Sequence, residues 1–316
     1  MNVEGILPGD DKIIIFNAHF DTVSTTVGAD DNAGGVSALI TTAEVLSKFK
    51  FKHTIKFVAF SGEEQGLLGS NEYARKAYEE GDKIIVEFNA DMIGHAEKEG
   101  AESKFRIYST EDADWIVREI DEINNYSGIK FDFVKGNITR RYGGSDYHSF
   151  AKYGFESVAF FEYEWNPKMH QASDNMSNVN IDYLTNTTRI IAGTIAFLGD
   201  AEQKKPYLII SSPKRGRIYI DGREILSLRN KKSLIIGKNF VSAYAESNFG
   251  IEKVEFYLDG EIVNTDTTPP YEFSINKNSL WQHEIKVVAY DSEDYSVDWM
   301  DVLWFNFASD KIEKSL

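Results

Sequence analysis

One apolar run, Ile13-Ile-Ile-Phe16, opening into Asn17-Ala-His-Phe-Asp21, constrains the fold of this chain more than any other stretch. A strand with one wet face alternates in polarity. An unbroken run like this one is buried on both faces, as in a parallel sheet covered by helices. Polar residues return only at its C-terminal end, where open α/β sheets collect their ligands. His19 and Asp21 are two apart, so on extended backbone they point to the same side. A short loop then brings Gly28-Ala-Asp-Asp-Asn-Ala-Gly-Gly35, whose glycines permit tight turning. Asp31 or Asn32 is placed to cap a helix running from about Ala33 to Lys48, with Val36, Leu39, Ile40, Ala43 and Leu46 on one face.

The same unit recurs along the first 200 residues. Asn2 to Leu7 reads as a short strand before the turn Pro8-Gly-Asp-Asp11. Thr54 to Phe60 is an apolar strand ending in Ser61-Gly-Glu-Glu-Gln-Gly66, and a helix follows from about Ser70 to Glu80. Lys83 to Phe88 is a strand ending in Asn89-Ala-Asp-Met-Ile-Gly94. Further strands are expected at Phe105–Tyr108, Phe131–Val134 and Ser157–Phe161, with helices at Asp112–Asn125 and Ile181–Leu198. This alternation implies a mainly parallel mixed sheet sandwiched by helices. After Asp200 the texture changes. Gln203-Lys-Lys-Pro206 reads as a linker, and short alternating runs follow, such as Arg217–Ile220 before Asp221-Gly222 and Val254–Leu258 before Asp259-Gly260. Such runs predict a β-sandwich, so the chain divides into an α/β domain, 1–202, and an all-β domain, 203–316.

Composition narrows the chemistry. A formal charge of -16 lacks the basic footprint that nucleic acid or an anionic membrane surface requires. No apolar run approaches the ~20 residues of a membrane span, and Met-Asn-Val-Glu-Gly is not a signal peptide. With no cysteine in the chain, a metal would have to be held by His and carboxylates. Five segments supply such groups near one sheet edge: His19/Asp21, Asp30-Asp31, Glu63-Glu64, Asp91 and His170. A single His or Asp at a strand end is most often a cap or a satisfied polar group. Five together are a different matter, since crowded carboxylates repel and raise each other's pKa. Divalent cations remove that penalty, and two His with several carboxylates suit zinc, cobalt or manganese.

These motifs, in their order and spacing over residues 2 to 198, resemble those of the M28 zinc aminopeptidases, which use two co-catalytic metals. The resemblance implies roles for specific positions. His19 and Asp91 would ligate one metal and Glu64 and His170 the other, with Asp31 bridging and Asp30 a structural neighbour. Asp21 would orient the His19 imidazole, and Glu63 would be the general base. Tyr142 matches a tyrosine that hydrogen-bonds the tetrahedral oxyanion; a partly buried loop tyrosine is an equally good reading of it. The implied activity is removal of N-terminal residues from peptides with a free amine. Alternatives are a carboxypeptidase or other amide hydrolase of the same family, including a one-zinc glutaminyl cyclase, or an inactive surface-binding relative. The five-ligand set argues against the cyclase, and no ligand or base is lost.

Three departures from the family pattern stand out. Tyr147 occupies the usual His position of the Ser-Asp-His motif, which shifts His148 by one and makes it a neighbour of the site or a surface group. Met169 replaces the usual Tyr before the last ligand. The family's leading helix and strand have no counterpart before Asn2, as expected of a fragment, a misassigned start or a reduced fold with an exposed sheet edge. Residues 250–260, 267–273 and 286–291 resemble Ig-like modules, which implies an extracellular or cell-surface enzyme. Trp281, Trp299 and Trp304 are candidate contacts for a surface polymer or protein, although core packing is the commoner use of tryptophan in a sandwich.

Overall fold

The computed structural model describes residues 1–141, 143–202, 205–228, 232–275 and 278–307; Tyr142 lies outside the described residues. Two compact units are present, Met1–Glu202 and Gln203–Leu316.

The first unit carries, in order, β1 (Val3–Leu7), β2 (Lys12–His19), α1 (Gly35–Leu46), β3 (Thr54–Phe60), α2 (Leu68–Glu80) and β4 (Lys83–Ala90). There follow β5 (Lys104–Ser109), α3 (Asp114–Ser127), β6 (Asp132–Asn137), α4 (Tyr147–Ala151), β7 (Ser157–Glu162) and α5 (Ile181–Asp200). Its seven strands lie in the order β1-β3-β2-β4-β7-β5-β6. The β1–β3 and β5–β7 pairs are antiparallel and the other four are parallel. Helices α1, α3 and α5 cover one face, and α2 and α4 the other. The apolar runs behave accordingly: Ile14, Ile15, Phe16, Ile55, Val86, Phe88, Val158 and Phe160 are fully buried. Burying each such side chain is worth about 1.5–3 kcal/mol, so the central strands, and the loops at their C-terminal ends, are firmly fixed. Strands β1 and β6 are the sheet edges, and Val3 and Ile6 of β1 are exposed.

The largest departure from the sequence expectation precedes α1. The helix starts at Gly35, because Asp31 (φ -107°, ψ 86°) and Asn32 (φ -137°, ψ 41°) lie outside the helical basin. Asn32 ties this irregular turn down: its Oδ1 accepts from Gly35 N at 3.0 Å and its Nδ2 donates to Ala90 O at 2.9 Å. At α5, Asn180 accepts from Tyr183 N at 3.0 Å, an N-cap that fixes where the loop after His170 ends.

The second unit is all β. Its strands are β8 (Tyr207–Ser212), β9 (Arg217–Ile220), β10 (Arg223–Ser227), β11 (Ser233–Ile236) and β12 (Asn239–Glu246), then β13 (Lys253–Leu258), β14 (Glu261–Asp266), β15 (Tyr271–Ile275), β16 (Ser279–Tyr290) and β17 (Tyr295–Asn306). They form a seven-stranded sheet, β10-β9-β11-β17-β16-β13-β14, and a three-stranded sheet, β15-β12-β8, around one apolar core. Both Asp-Gly turns take positive φ at both residues (47° and 75°; 53° and 83°), as two-residue hairpin loops require. Trp304 is a core residue whose Nε1 donates to Gly237 O at 2.8 Å, whereas Trp281 is exposed. No helix among the described residues is long and apolar enough to cross a membrane.

Candidate metal centre

The C-terminal ends of β2, β3 and β4 lie side by side in the sheet, and each delivers part of one polar cluster. His19, the last residue of β2, is 1% exposed. Its Nδ1 lies 3.0 Å from the Asp21 backbone oxygen, an acceptor, so the proton sits on Nδ1. That leaves Nε2 to face inward, protonated while no cation is bound and free to offer its lone pair to one. There Nε2 meets Asp31 Oδ1 and Asp91 Oδ1, both at 3.3 Å. On the other side of Asp31, His170 Nε2 lies 3.2 Å from Oδ2 and 3.3 Å from Glu64 Oε2. The two oxygens of one carboxylate thus serve two separate triads, His19–Asp31–Asp91 and Asp31–Glu64–His170.

The donors suit two divalent cations. Ligands about 2.0–2.1 Å from a tetrahedral ion stand about 3.3 Å apart, which matches the 3.2–3.3 Å separations. Glu64 Oε1 is buried with no hydrogen-bond partner, the kind of orphan oxygen a cation satisfies. Proton affinities point the same way. Burial alone would lower the His19 pKa, but hydrogen bonds to Asp31 and Asp91 push it up to about 12. Burial, aided by the charge of Asp91, pushes Glu63 up to about 8 and also raises Glu64. Without cations, protons neutralise this edge.

Asp21 acts differently from the sequence expectation. Its backbone oxygen, not its carboxylate, holds the His19 ring. The carboxylate accepts from Gly62 N (2.8 Å), Glu63 N (3.1 Å) and Glu64 N (3.2 Å), gripping the loop that carries the other two acidic groups. The physical reason is proximity: β2 and β3 are paired neighbours, so a side chain just past His19 reaches the start of the loop after Phe60. Glu63 belongs to neither triad.

A second layer lies behind Asp31, and only part of it was legible in sequence. Asp30 is fully buried, with Oδ1 accepting from Gly94 N at 3.1 Å and Oδ2 from Asn166 Nδ2 at 3.1 Å. Burial pushes Asp30 up to about 6, and burial with the neighbouring Asp30 pushes Glu162 up to about 11. Glu162 is therefore a neutral acid at pH 7; it accepts from His95 N (2.7 Å) and Asn166 N (2.8 Å). Asp174 accepts from Asp30 N and Asp31 N, so it holds the turn that aims Asp31. Sequence reasoning missed Glu162, Asn166 and Asp174; the one available signal was an acid four residues after His170. It also missed Asp146, fully buried with neither oxygen hydrogen-bonded and pushed by burial up to about 7. His148 lies outside both triads, and burial and Lys152 lower its pKa. Tyr147 stacks edge-on against Phe161, and its hydroxyl accepts from Gly144 N.

The model of peptidase family M28 matches residues 2–195. The chain belongs to that family. A bacterial Ig domain model matches residues 230–287 of this M28 family member. Its peptidase unit is similar to aminopeptidase YwaD of Bacillus subtilis, 28% identical over 210 residues, covering 62% of this chain and 43% of the relative. Among solved structures, the aminopeptidase from Aneurinibacillus sp. strain AM-1 superposes with a TM-score of 0.56 at 25% identity, over 64% of this chain and 48% of that one. The fold is shared with a zinc aminopeptidase from Bacillus subtilis (TM-score 0.53, 24% identity, 64% and 51% covered). The M28 chain thus spans about half the length of these relatives.

Proposed function

We propose that the first unit is a two-metal aminopeptidase. The observation carrying this reading is Asp31, whose two carboxylate oxygens each face a different histidine at 3.2–3.3 Å. His19, Asp31 and Asp91 would hold one ion, and Asp31, Glu64 and His170 the other, zinc suiting the donors best, with cobalt or manganese as substitutes. Such a pair polarises a scissile carbonyl and makes a bound water acidic at neutral pH.

The chain supplies the rest. Glu63, next to ligand Glu64 and held by Asp21, takes the proton of the attacking water and returns it to the leaving amine. A neighbouring cation would favour the ionised form of Glu63, which burial raises to about 8 in its absence. The negative charge of the carboxylates gathered at this edge would favour a free, protonated N-terminus. Tyr142 is proposed as donor to the oxyanion. The Ig-like unit supports a secreted or cell-surface location and a contact with a surface polymer or protein.

The test is a panel of amino-acid p-nitroanilides with N-acetylated counterparts. Free-amine substrates are cleaved, acetylated ones are not, and chelation abolishes turnover. Glu63→Gln loses about 10²–10⁴ in kcat while keeping its metals, and Tyr142→Phe loses about 10²–10³. Cleavage of blocked substrates alone would replace this reading with another amide hydrolase of the family.

A further inference from the structure

A cavity of about 520 Å³ opens beside the metal-bearing edge, lined by the 98–101 turn, Lys104, Arg106 and the 163–165 segment. Its position follows from register. Asp91 N donates to Phe160 O, and Phe161 pairs with Arg106 across the antiparallel β7–β5 ladder. Arg106 therefore stands two strands from Asp91 in nearly the same row, about 10 Å away at ~4.8 Å per strand. Lys104 lies two residues further toward the same edge and, by alternation, on the same face.

The pocket lining sets Lys98, Lys104 and Arg106 against Glu99 and Glu164, a small basic excess in a chain with 50 acidic and 34 basic residues. Lys98 is neutralised by Glu164 at 2.7 Å, and Glu164 also accepts from the backbone of Lys98 (2.8 Å) and Glu97 (3.3 Å), which turns its carboxylate into the loop. Lys104 and Arg106, in contrast, have no carboxylate partner among the described residues; they rest on aromatic rings. Lys104 Nζ lies 4.8 Å from the Tyr163 ring centre. The Arg106 guanidinium lies 5.3 Å from that centre and 5.8 Å from that of Trp165. Its Nε donates to Tyr163 O at 2.9 Å, so the fork is fixed before any ligand arrives. Trp165 is 48% exposed and packs at a tilt of 53° against Phe161, ring centres 5.5 Å apart, and it is five residues before His170 on the same loop. A preorganised guanidinium with an ammonium two residues away on the same face suits bidentate capture of a carboxylate.

We propose that this pocket is a carboxylate-binding subsite, which selects peptides bearing a negative charge a short distance beyond the N-terminal residue. Extended peptide advances about 3.3 Å per residue, so the backbone spacing of about 10 Å between Asp91 and Arg106 sets a scale of roughly three residues. The carboxylate is then the C-terminus of a tri- or tetrapeptide or an acidic side chain at that position. The proposal rests on the aminopeptidase reading.

The experiment compares Leu-Ala-Ala as free acid, Leu-Ala-Ala amide and Leu-Ala-Glu amide. For the metal-loaded protein, kcat/KM for the acid exceeds that for the amide tenfold or more, and 0.5 M NaCl erodes the ratio. In Arg106→Gln, and separately in Lys104→Gln, the ratio falls toward one. A Glu-amide as good as the acid assigns the subsite to side chains as well as to chain ends; a Glu-amide as poor as the plain amide assigns it to chain ends. Binding of the same peptides is read by Trp165 emission, isolated by difference against Trp165→Phe. If no peptide is cleaved, the aminopeptidase reading has failed, and the emission titration alone decides the subsite. Equal turnover of acid and amide, or equal Kd where nothing is cleaved, overturns the proposal.

Discussion

Asp21→Asn separates two ways in which the residue that follows a candidate metal-ligating histidine can matter. The carboxylate takes three backbone N–H groups, two on Oδ1 and one on Oδ2. An asparagine amide has one acceptor, so in either orientation at least one N–H of residues 62–64 faces another donor. The loss combines a charge-assisted bond, about 1.5–3 kcal/mol, with an unsatisfied donor, about 1–3 kcal/mol. A total near 3 kcal/mol should lower Tm by roughly 6–12 °C in a domain of this size. Loosening the loop that presents Glu63 and Glu64 should cost about 10–100-fold in kcat/KM. The His19 ring is held by the backbone oxygen of residue 21, which asparagine retains. Metal titration should therefore weaken the Glu64–His170 site and spare the His19–Asp91 site. Weakening confined to the His19 site would show that the carboxylate orients the imidazole after all. Wild-type Tm, metal content and kcat/KM together would refute the reasoning.

Two further outcomes follow from the burial of charge. At pH 7 the metal-free site holds protons on His19, pushed up to about 12, and largely on Glu63, pushed up to about 8. Zinc binding should release about two protons per chain, read by calorimetry in buffers of different ionisation enthalpy; no release would contradict the assignment. Asp146 is raised from 3.8 to about 7 by burial, so its contribution to the stability of the metal-free protein is complete below about pH 4 and lost as pH rises through about 7. Asp146→Asn should make the fall of Tm between pH 4 and 8 in chelator less steep, Asp30 and Glu63 still contributing to it, and an unchanged slope would rule out that role.

What the sequence revealed and what it concealed divide on physical lines. Buried parallel strands announce themselves as apolar runs, so Thr54–Phe60 reads correctly to the residue and the neighbouring strands to within one or two. The residues that converge at this edge were legible because His-x-Asp, Asp-Asp and Glu-Glu stand where strands end. The turn before α1 was not, since nothing local says that Asn32 will spend its amide on Ala90 of another strand. The Asp30–Glu162–Asn166–Asp174 layer was hidden for the same reason: Asp30 is more than 130 residues from its partners, and a buried Glu closing an apolar strand reads as a strand terminus. The role of Asp21 needed the third dimension, because local spacing shows only that its side chain shares a side with that of His19.

The most direct test of the two-metal reading is anomalous diffraction at the zinc edge from crystals grown with zinc. Two peaks per chain are expected, about 3.5–4 Å apart, one bounded by His19, Asp31 and Asp91 and the other by Asp31, Glu64 and His170. A single peak, or two peaks that do not share Asp31, would contradict it.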